Sequence, residues 1–230
     1  MAYFCPAMSV DISNLNNILA ELKEYNATLV AVSKKKSVEE IKQVYDAGHK
    51  IFGENYVREL KEKYEALPKD IEWHFIGHLQ TNKVKVIAPF VSLIQSVDSL
   101  KLLKEINKEG EKNNRVINCL LQIHIAQEES KFGLSFEEAE EILKSTEVKA
   151  MKNISIQGLM GMASLTYDDS QVKKEFHSLK QFFDKVKTNY QLSIINYQFL
   201  SMGMTSDYQT ALEEGSTMVR IGSAIFGERI

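Results

Sequence analysis

The sequence is poor in residues that break or cross-link a chain, and it carries no excess of basic charge. Its 230 residues include three prolines and two cysteines, and the formal net charge is -3. Cys5 and Cys119 form no C-x-x-C motif, so we expect two free thiols and no disulfide framework. Without a clustered basic face, neither nucleic acid nor an anionic membrane is an expected partner.

Segments that would direct the chain to or across a membrane are also missing. An apolar run such as residues 116–126 is too short for a span and contains a histidine and a glutamine. The first residues, MAYFCPAMSVDISN, lack a basic region followed by an apolar stretch. We therefore expect a cytoplasmic protein.

What the sequence does contain is a rhythm of short apolar runs and longer amphipathic segments. The runs are nearly all apolar and mostly β-branched or aromatic, as is typical of strands covered on both faces. Nothing resembles a linker, so we expect one domain over residues 1–230, with an N-terminal extension over 1–27 that contains a helix over 10–25. The predicted strands are residues 28–33, 50–55, 73–77, 91–96, 116–125, 154–162, 196–201 and 218–222.

Helix boundary signals lie between these strands. S-V-E-E (residues 37–40) and S-F-E-E (residues 135–138) predict capping boxes, and Gly48 and Gly215 stand where a left-handed C-terminal cap is expected. Eight strand–helix units in succession predict a closed parallel (β/α)8 TIM barrel, because closure removes both sheet edges. A doubly wound open sheet is the alternative.

In a (β/α)8 barrel, functional residues gather at the C-terminal ends of the strands. The first predicted strand ends in S-K-K-K-S, residues 33–37. Period-two alternation places Lys34 on the same face as Val30 and Val32. If that face points inward, Lys34 projects into the mouth, where a partly desolvated amine is a nucleophile for an aldehyde. The alternative is a solvated basic turn.

Two further strand ends carry candidate ligand-binding side chains. Asn55, in G-E-N-Y, offers an amide for a ligand hydroxyl or caps an ordinary turn. His74 and His78 fall within and just after the third strand. They could be metal ligands, but no H-E-x-x-H or Cys/His/Asp cluster supports a metal site, so packed histidines are favoured.

The ends of the last two strands predict a phosphate site. Ser201 and Thr205 supply hydroxyls around Gly203, and the eighth strand runs into the turn Gly222-Ser223, which opens a short helix. Loops after strands seven and eight, with amides at a helix N-terminus, recurrently hold phosphate in this fold.

Arg220 lies in the middle of the eighth apolar strand. An unpaired guanidinium there would be costly. It therefore either pairs with an inward acid from a neighbouring strand or donates to an acceptor on a ligand. A pyridine nitrogen fits the second interpretation, because arginine keeps its protons.

Seven ordered motifs extend over almost the whole chain from Leu29 onward. They are A-V-S-K (31–34), F-G-E-N-Y (52–56), H-F-I-G-H-L-Q-T-N-K (74–83), K-F-G (131–133), G-L-M-G-M (158–162), S-M-G-M-T-x-D (201–207) and G-S-T-M-V-R-I-G-x-A-I-F-G (215–227). Together they resemble the pyridoxal phosphate homeostasis protein family, also called the proline synthase co-transcribed protein family. Its members have an alanine racemase-like barrel.

The resemblance implies a site for pyridoxal 5′-phosphate (PLP), the vitamin B6 cofactor. Lys34 would carry PLP as a Schiff base, residues 201–205 and 220–222 would hold the phosphate, and Arg220 would face the pyridine nitrogen. Family members commonly have S-K-x-x-P, whereas Lys35 and Ser37 fill the later positions here. The predicted cofactor-binding residues are Lys34, Asn55, His74, Ser201, Gly203, Thr205, Arg220, Ile221, Gly222 and Ser223.

The implied function is PLP homeostasis, by buffering or delivery, without strong catalysis. PLP and, transiently, PLP-dependent apo-enzymes would be the partners of a monomer or weak dimer. One alternative is a PLP-dependent racemase, which needs a base on each face of its substrate. Racemases with this barrel take the opposing tyrosine from an added β-domain, whereas this chain ends at Ile230; Tyr56 and Tyr208 lie near the expected mouth. The other alternative is a colourless Schiff-base aldolase acting on a phosphorylated substrate.

Overall fold

The eight predicted strands form a closed barrel in the computed structural model, which describes residues 10–128, 132–190 and 194–227. The strands pair in parallel and in chain order, and the last pairs with the first. The predicted (β/α)8 class is confirmed. The strands are β1 Thr28–Val32, β2 Ile51–Glu54, β3 Glu72–Phe75, β4 Leu93–Val97, β5 Ile117–His124, β6 Ile154–Met162, β7 Ile195–Met204 and β8 Met218–Ile221.

Helices connect the strands and form the outer ring. A 3₁₀ turn, Thr81–Lys83, leads into the fourth of them. The helices are α1 Ile12–Glu24, α2 Val38–Asp46, α3 Val57–Ala66, α4 Val84–Ile87, α5 Leu100–Lys112, α6 Phe136–Lys144, α7 Thr146–Lys149, α8 Asp169–Asn189, α9 Tyr208–Glu213 and α10 Ser223–Phe226.

The helix boundary signals act as predicted. Ser37 and Ser135 each form a capping box with the glutamate three residues later, which satisfies two backbone amides at the start of α2 and of α6. Gly48 and Gly215 follow α2 and α9 with φ values of 97° and 88°. Side chains with a Cβ rarely adopt such values, so glycine ends both helices without strain.

The apolar core has two layers, one inside the barrel and one between the strands and the helices. On β1, Val30 belongs to the inner layer, whereas Leu29 and Ala31 face the helices. Full burial of an aliphatic side chain contributes about 1.5–3 kcal/mol, so each strand strongly prefers one orientation. The inner layer consists of Val30, Leu93, Leu120, Met160 and Met218.

The N-terminal helix supports the segment that follows β8. The amide of Asp11 donates to the carbonyl oxygen of Ile225 at 2.8 Å, and Asn14 Nδ2 donates to that of Ala224 at 2.7 Å. Glu21 accepts from the hydroxyl of Tyr208 at 2.7 Å. Helix α1 therefore packs on α9 and α10, beside the predicted phosphate loops.

The seventh strand is longer than predicted. It continues to Met204, although the apolar run ends near Ser201, and its register with β8 shifts between these two residues. Gly203 has a φ of 96°, and a Cβ there would lie 2.7 Å from the Cβ of Ala211. Glycine lets the strand bend at this point without ending.

Cys119 is a free, buried thiol, and burial raises its pKa. Cys5 lies outside the described residues. Within the described ranges, no helix is both long and apolar enough to cross a bilayer.

Candidate ligand site at the mouth of the barrel

A cavity of about 120 Å³ lies at the C-terminal ends of the strands, where functional groups of this fold gather. It brings together residues that follow β1, β2, β7 and β8, although they are spread over nearly the whole sequence. The lining residues are Val32, Lys34, Asn55, Ile76, Met162, Met204, Thr205, Arg220, Gly222 and Ser223. Six of them belong to the predicted set.

The three consecutive lysines after β1 have different surroundings. Lys34, in the turn after β1, lines the cavity, as the alternation along β1 predicts. Lys35 is exposed, and the amine of Lys36 lies 2.6 Å from the carbonyl oxygen of Phe226 and 3.4 Å from the carboxylate of Glu40. Lys34 is thus the amine of the three that is placed to meet a ligand.

Asn55 presents a buried acceptor at the same cavity. Its Oδ1 has no hydrogen-bond partner among the described residues. Its backbone is closely packed, because a Cβ on Gly77 would lie 2.4 Å from the Asn55 carbonyl oxygen. Buried polar atoms are nearly always paired, so a donor on a ligand fits this position.

Arg220 reaches the cavity from β8 through the barrel interior. One terminal nitrogen donates to the carbonyl oxygen and hydroxyl of Ser201 at 2.9 and 2.7 Å, and the other donates to the carbonyl oxygen of Gly161 at 2.9 Å. Burial lowers the pKa of Arg220 to about 10, against the opposing effect of Asp207. The guanidinium therefore stays charged at neutral pH, and these hydrogen-bond partners are neutral oxygens.

A polar chain continues from Arg220 into the barrel. The hydroxyl of Ser201 donates to Gln95 Oε1 at 2.7 Å, and Gln95 Nε2 lies 3.0 Å from Nδ1 of His74 and 3.2 Å from the sulfur of Met218. His74 and Ser201 thus lie below the cavity lining. Gln95 was not predicted, because its strand is a plain apolar run and its partner Ser201 is 106 residues away.

His74 gives the fold a pH dependence. Burial lowers the pKa of His74 to about 3, below its ordinary value of 6.5. Between these pH values the unfolded chain binds a proton that the folded chain excludes, so stability falls as the pH falls. From pH 7 to pH 5 this site should remove about 2 kcal/mol from the free energy of unfolding. Urea titrations at pH 7 and pH 5 should show that the free energy of unfolding falls less in His74→Asn than in wild type. An equal fall in both proteins would refute the assignment of this pH dependence to His74.

The other predicted residues lie in or behind the mouth. The amide of Gly222 donates to the hydroxyl of Thr205 at 3.3 Å, and Ser223 begins α10. Gly203 packs against α9, and the side chain of Ile221 lies in the outer core layer. Ligand contacts by these residues stay predictions.

The two tyrosines near the mouth have separate environments. The hydroxyl of Tyr208 donates to Glu21, and burial together with this carboxylate raises the pKa of Tyr208 to about 12. Tyr56 is half exposed and lines a neighbouring groove between α3 and α4. Neither lies in the lining of the Lys34 cavity.

His78 also lies apart from that cavity. Its Nδ1 is 3.0 Å from a carboxylate oxygen of Asp98, and its ring stacks on Phe132 at 4.0 Å. Within the part of the chain that the structure describes, no group of three potential ligands could hold a metal ion. Lys131, of the K-F-G motif, lies outside the described residues.

The chain matches one family over nearly its full length. Residues 11–230 match the family described as "Alanine racemase, N-terminal domain". Together with the closed barrel and a lysine at its mouth, this match defines the class of the protein as an alanine racemase-like barrel.

Proteins of higher sequence similarity identify the family within this class. The pyridoxal phosphate homeostasis protein of Aquifex aeolicus is 40% identical over 204 residues, which cover 88% of this chain and 87% of that protein. PipY of Synechococcus elongatus PCC7942, solved without PLP and with PLP bound, is 28% identical, with TM-scores of 0.87 and 0.84. Each alignment covers 94% of this chain and 99% of PipY. The chain belongs to the pyridoxal phosphate homeostasis protein family.

Proposed function

We propose that this protein binds PLP at the mouth of its barrel, holds it as a Schiff base on Lys34, and serves intracellular PLP homeostasis. The observation that carries this proposal is that Lys34 lines one cavity with Arg220 and the Gly222-Ser223 turn. The names of the relatives and the PLP-bound PipY structure support it.

The residues around the cavity suit the chemical groups of PLP. Bound PLP supplies an aldehyde that condenses with amines, on an electron-withdrawing ring. Lys34 is the amine, and Arg220 keeps donors for the pyridine nitrogen, because its guanidinium has five N–H groups. Thr205 and the backbone at Ser223 suit the phosphate. The unpaired Oδ1 of Asn55 suits a hydroxyl on the ring.

A carrier role fits these side chains better than racemisation does. Racemisation needs an acid–base group on each face of the substrate, and Lys34 can serve one. The raised pKa of Tyr208 and its hydrogen bond to Glu21 make it a poor base for the other. An arginine at the ring nitrogen also weakens the cofactor as an electron sink compared with an acidic partner, although it is compatible with racemase chemistry as well. We place this function in the cytoplasm, with delivery to PLP-dependent apo-enzymes.

The visible absorption spectrum of the purified protein is the first test. We expect a yellow protein whose band disappears on borohydride reduction, with a phosphopyridoxyl group recovered on the peptide that contains Lys34. A protein that stays colourless with added PLP would contradict the proposal and favour the aldolase alternative. Turnover of amino acids at enzymatic rates by the yellow protein would favour a racemase or a related enzyme.

A further inference from the structure

A buried charged cluster lies beneath the turn that bears Lys34. Glu54 ends β2, and Glu59 and Lys63 lie one turn apart on α3; Lys63 is 5% exposed and Glu54 is fully buried. A buried ammonium is costly unless acceptors surround it. Lys63 Nζ lies 2.7 Å from the carbonyl oxygen of Ser33, 2.7 Å from Glu54 Oε1 and 2.6 Å from Glu59 Oε1.

The same cluster holds both neighbours of Lys34. The hydroxyl of Ser33 donates to Glu54 Oε1 at 2.6 Å, and the backbone amide of Lys35 donates to Glu59 Oε1 at 2.5 Å. The residues before and after Lys34 are therefore hydrogen-bonded to one cluster of charged side chains. None of these hydrogen bonds involves a residue assigned above to a contact with PLP.

The backbone around Lys34 adopts a conformation that lysine disfavours. The amide of Lys36 donates to the carbonyl oxygen of Ser33 at 3.0 Å, which closes a turn with Lys34 and Lys35 at its two central positions. Lys35 has a φ of 62°, in the left-handed region where a Cβ is crowded. Such strain persists only where the surroundings impose it, and the carboxylate of Glu59 holds the Lys35 amide.

We propose that Glu59 and Lys63 are positioning residues that hold the turn of residues 33–36 in its strained form, so that Lys34 points into the cavity to meet an aldehyde. This inference rests on the proposed function. Glu54 anchors the cluster from β2, and Glu59 acts directly on the strained residue. Neither Glu59 nor Lys63 is among the residues that line the cavity.

The first experiment compares rates of PLP condensation in the full-length apo-protein by stopped-flow absorbance. Glu59→Met and Lys63→Met should each slow condensation by about tenfold or more, because each removes hydrogen bonds to the turn and misorientation of a reacting amine is costly. The controls Glu62→Met and Lys61→Met alter exposed residues of the same helix and should keep the wild-type rate. Wild-type rates in Glu59→Met would overturn the proposal.

A rescue experiment separates positioning from general loss of structure. Glycine adopts a left-handed φ without strain, so Lys35→Gly should restore most of the condensation rate to Glu59→Met. Glu59 is partly exposed, so its substitution should leave the protein folded. If Lys63→Met fails to fold, the comparison of the Glu59 single variant with the double variant still tests the positioning role. A slow double variant with wild-type thermal stability would overturn the proposal.

A third readout does not depend on PLP. In the apo-protein, acetic anhydride should acetylate Lys34 faster in Glu59→Met than in wild type, because a released turn exposes the amine; peptide mass spectrometry gives the rate. Unchanged labelling would count against the positioning role. If wild type takes up no PLP but labelling still responds to Glu59→Met, the proposed function fails and the positioning inference stands for the amine alone.

Discussion

Lys34→Ala should abolish covalent attachment of PLP, whereas Lys35→Ala and Lys36→Ala should keep it. The reason is geometric, because Lys34 lines the cavity while Lys35 is exposed and the amine of Lys36 is engaged by Phe226 and Glu40. Borohydride treatment followed by intact-mass measurement should show the mass of one phosphopyridoxyl group on wild type and on both control variants. The Lys34 variant should show none.

Lys34→Ala should still bind PLP reversibly. The predicted phosphate and ring contacts at Thr205, Ser223 and Arg220 do not depend on the amine, so PLP should remain but be removable by dialysis. The absorbance maximum should then be that of the free aldehyde. A reducible adduct retained by Lys34→Ala would transfer the role to another lysine and refute the assignment.

The fold could be predicted well because its signals are local. Each strand is an apolar run bounded by polar residues, and the capping boxes at Ser37 and Ser135 need only four consecutive residues each. Lys34 could be predicted by extending the alternation of β1 two residues beyond Val32, although Lys34 itself lies in the turn that follows the strand. The extension of β7 to Met204 was not predicted. In the sequence alone Gly203 resembles a turn signal, because the residues that pack against it are not known.

The hydrogen bonds that hold the site residues in place could not be predicted, because they join residues that are far apart in the sequence. Gln95 contacts Ser201 only after the barrel closes, and its strand carries no motif of its own. Lys63 looks like any surface lysine of an amphipathic helix, yet it is buried against Ser33 and Glu54. Strand register and helix docking decide such contacts, and both are properties of the assembled barrel.

The turn at Lys34 and the side chain of Arg220 are therefore held by two separate sets of hydrogen bonds. Charged groups of β2 and α3 hydrogen-bond to the turn at Lys34. In contrast, neutral oxygens of Gly161 on β6 and Ser201 on β7 accept from Arg220, and Gln95 of β4 is hydrogen-bonded to Ser201. Substitutions that remove hydrogen bonds to the turn at Lys34 should slow condensation with PLP and leave the rest of the barrel folded. Substitutions that remove the hydrogen bonds of Arg220 alter the barrel interior, so they should lower both the stability of the fold and the affinity for the cofactor.

Arg220→Ala is accordingly expected to lower the free energy of unfolding by about 3 kcal/mol or more, since it leaves interior oxygens of Ser201 and Gly161 without this donor and opens a space. The milder Arg220→Gln should fold and bind PLP at least about tenfold more weakly, because a charged donor to the ligand is lost. Urea titration and equilibrium dialysis measure the two effects.

Arg115 supplies the matched control. It also donates to two carbonyl oxygens, those of Ala88 at 2.5 Å and Val91 at 2.8 Å, but it lies just before β5, at the opposite end of the barrel. Arg115→Ala should lower stability by about 1–2 kcal/mol and leave PLP affinity at the wild-type value. Equal losses of PLP affinity in Arg115→Ala and Arg220→Gln would mean that Arg220 acts through the fold alone. Unchanged affinity in Arg220→Gln would place the guanidinium outside the cofactor site.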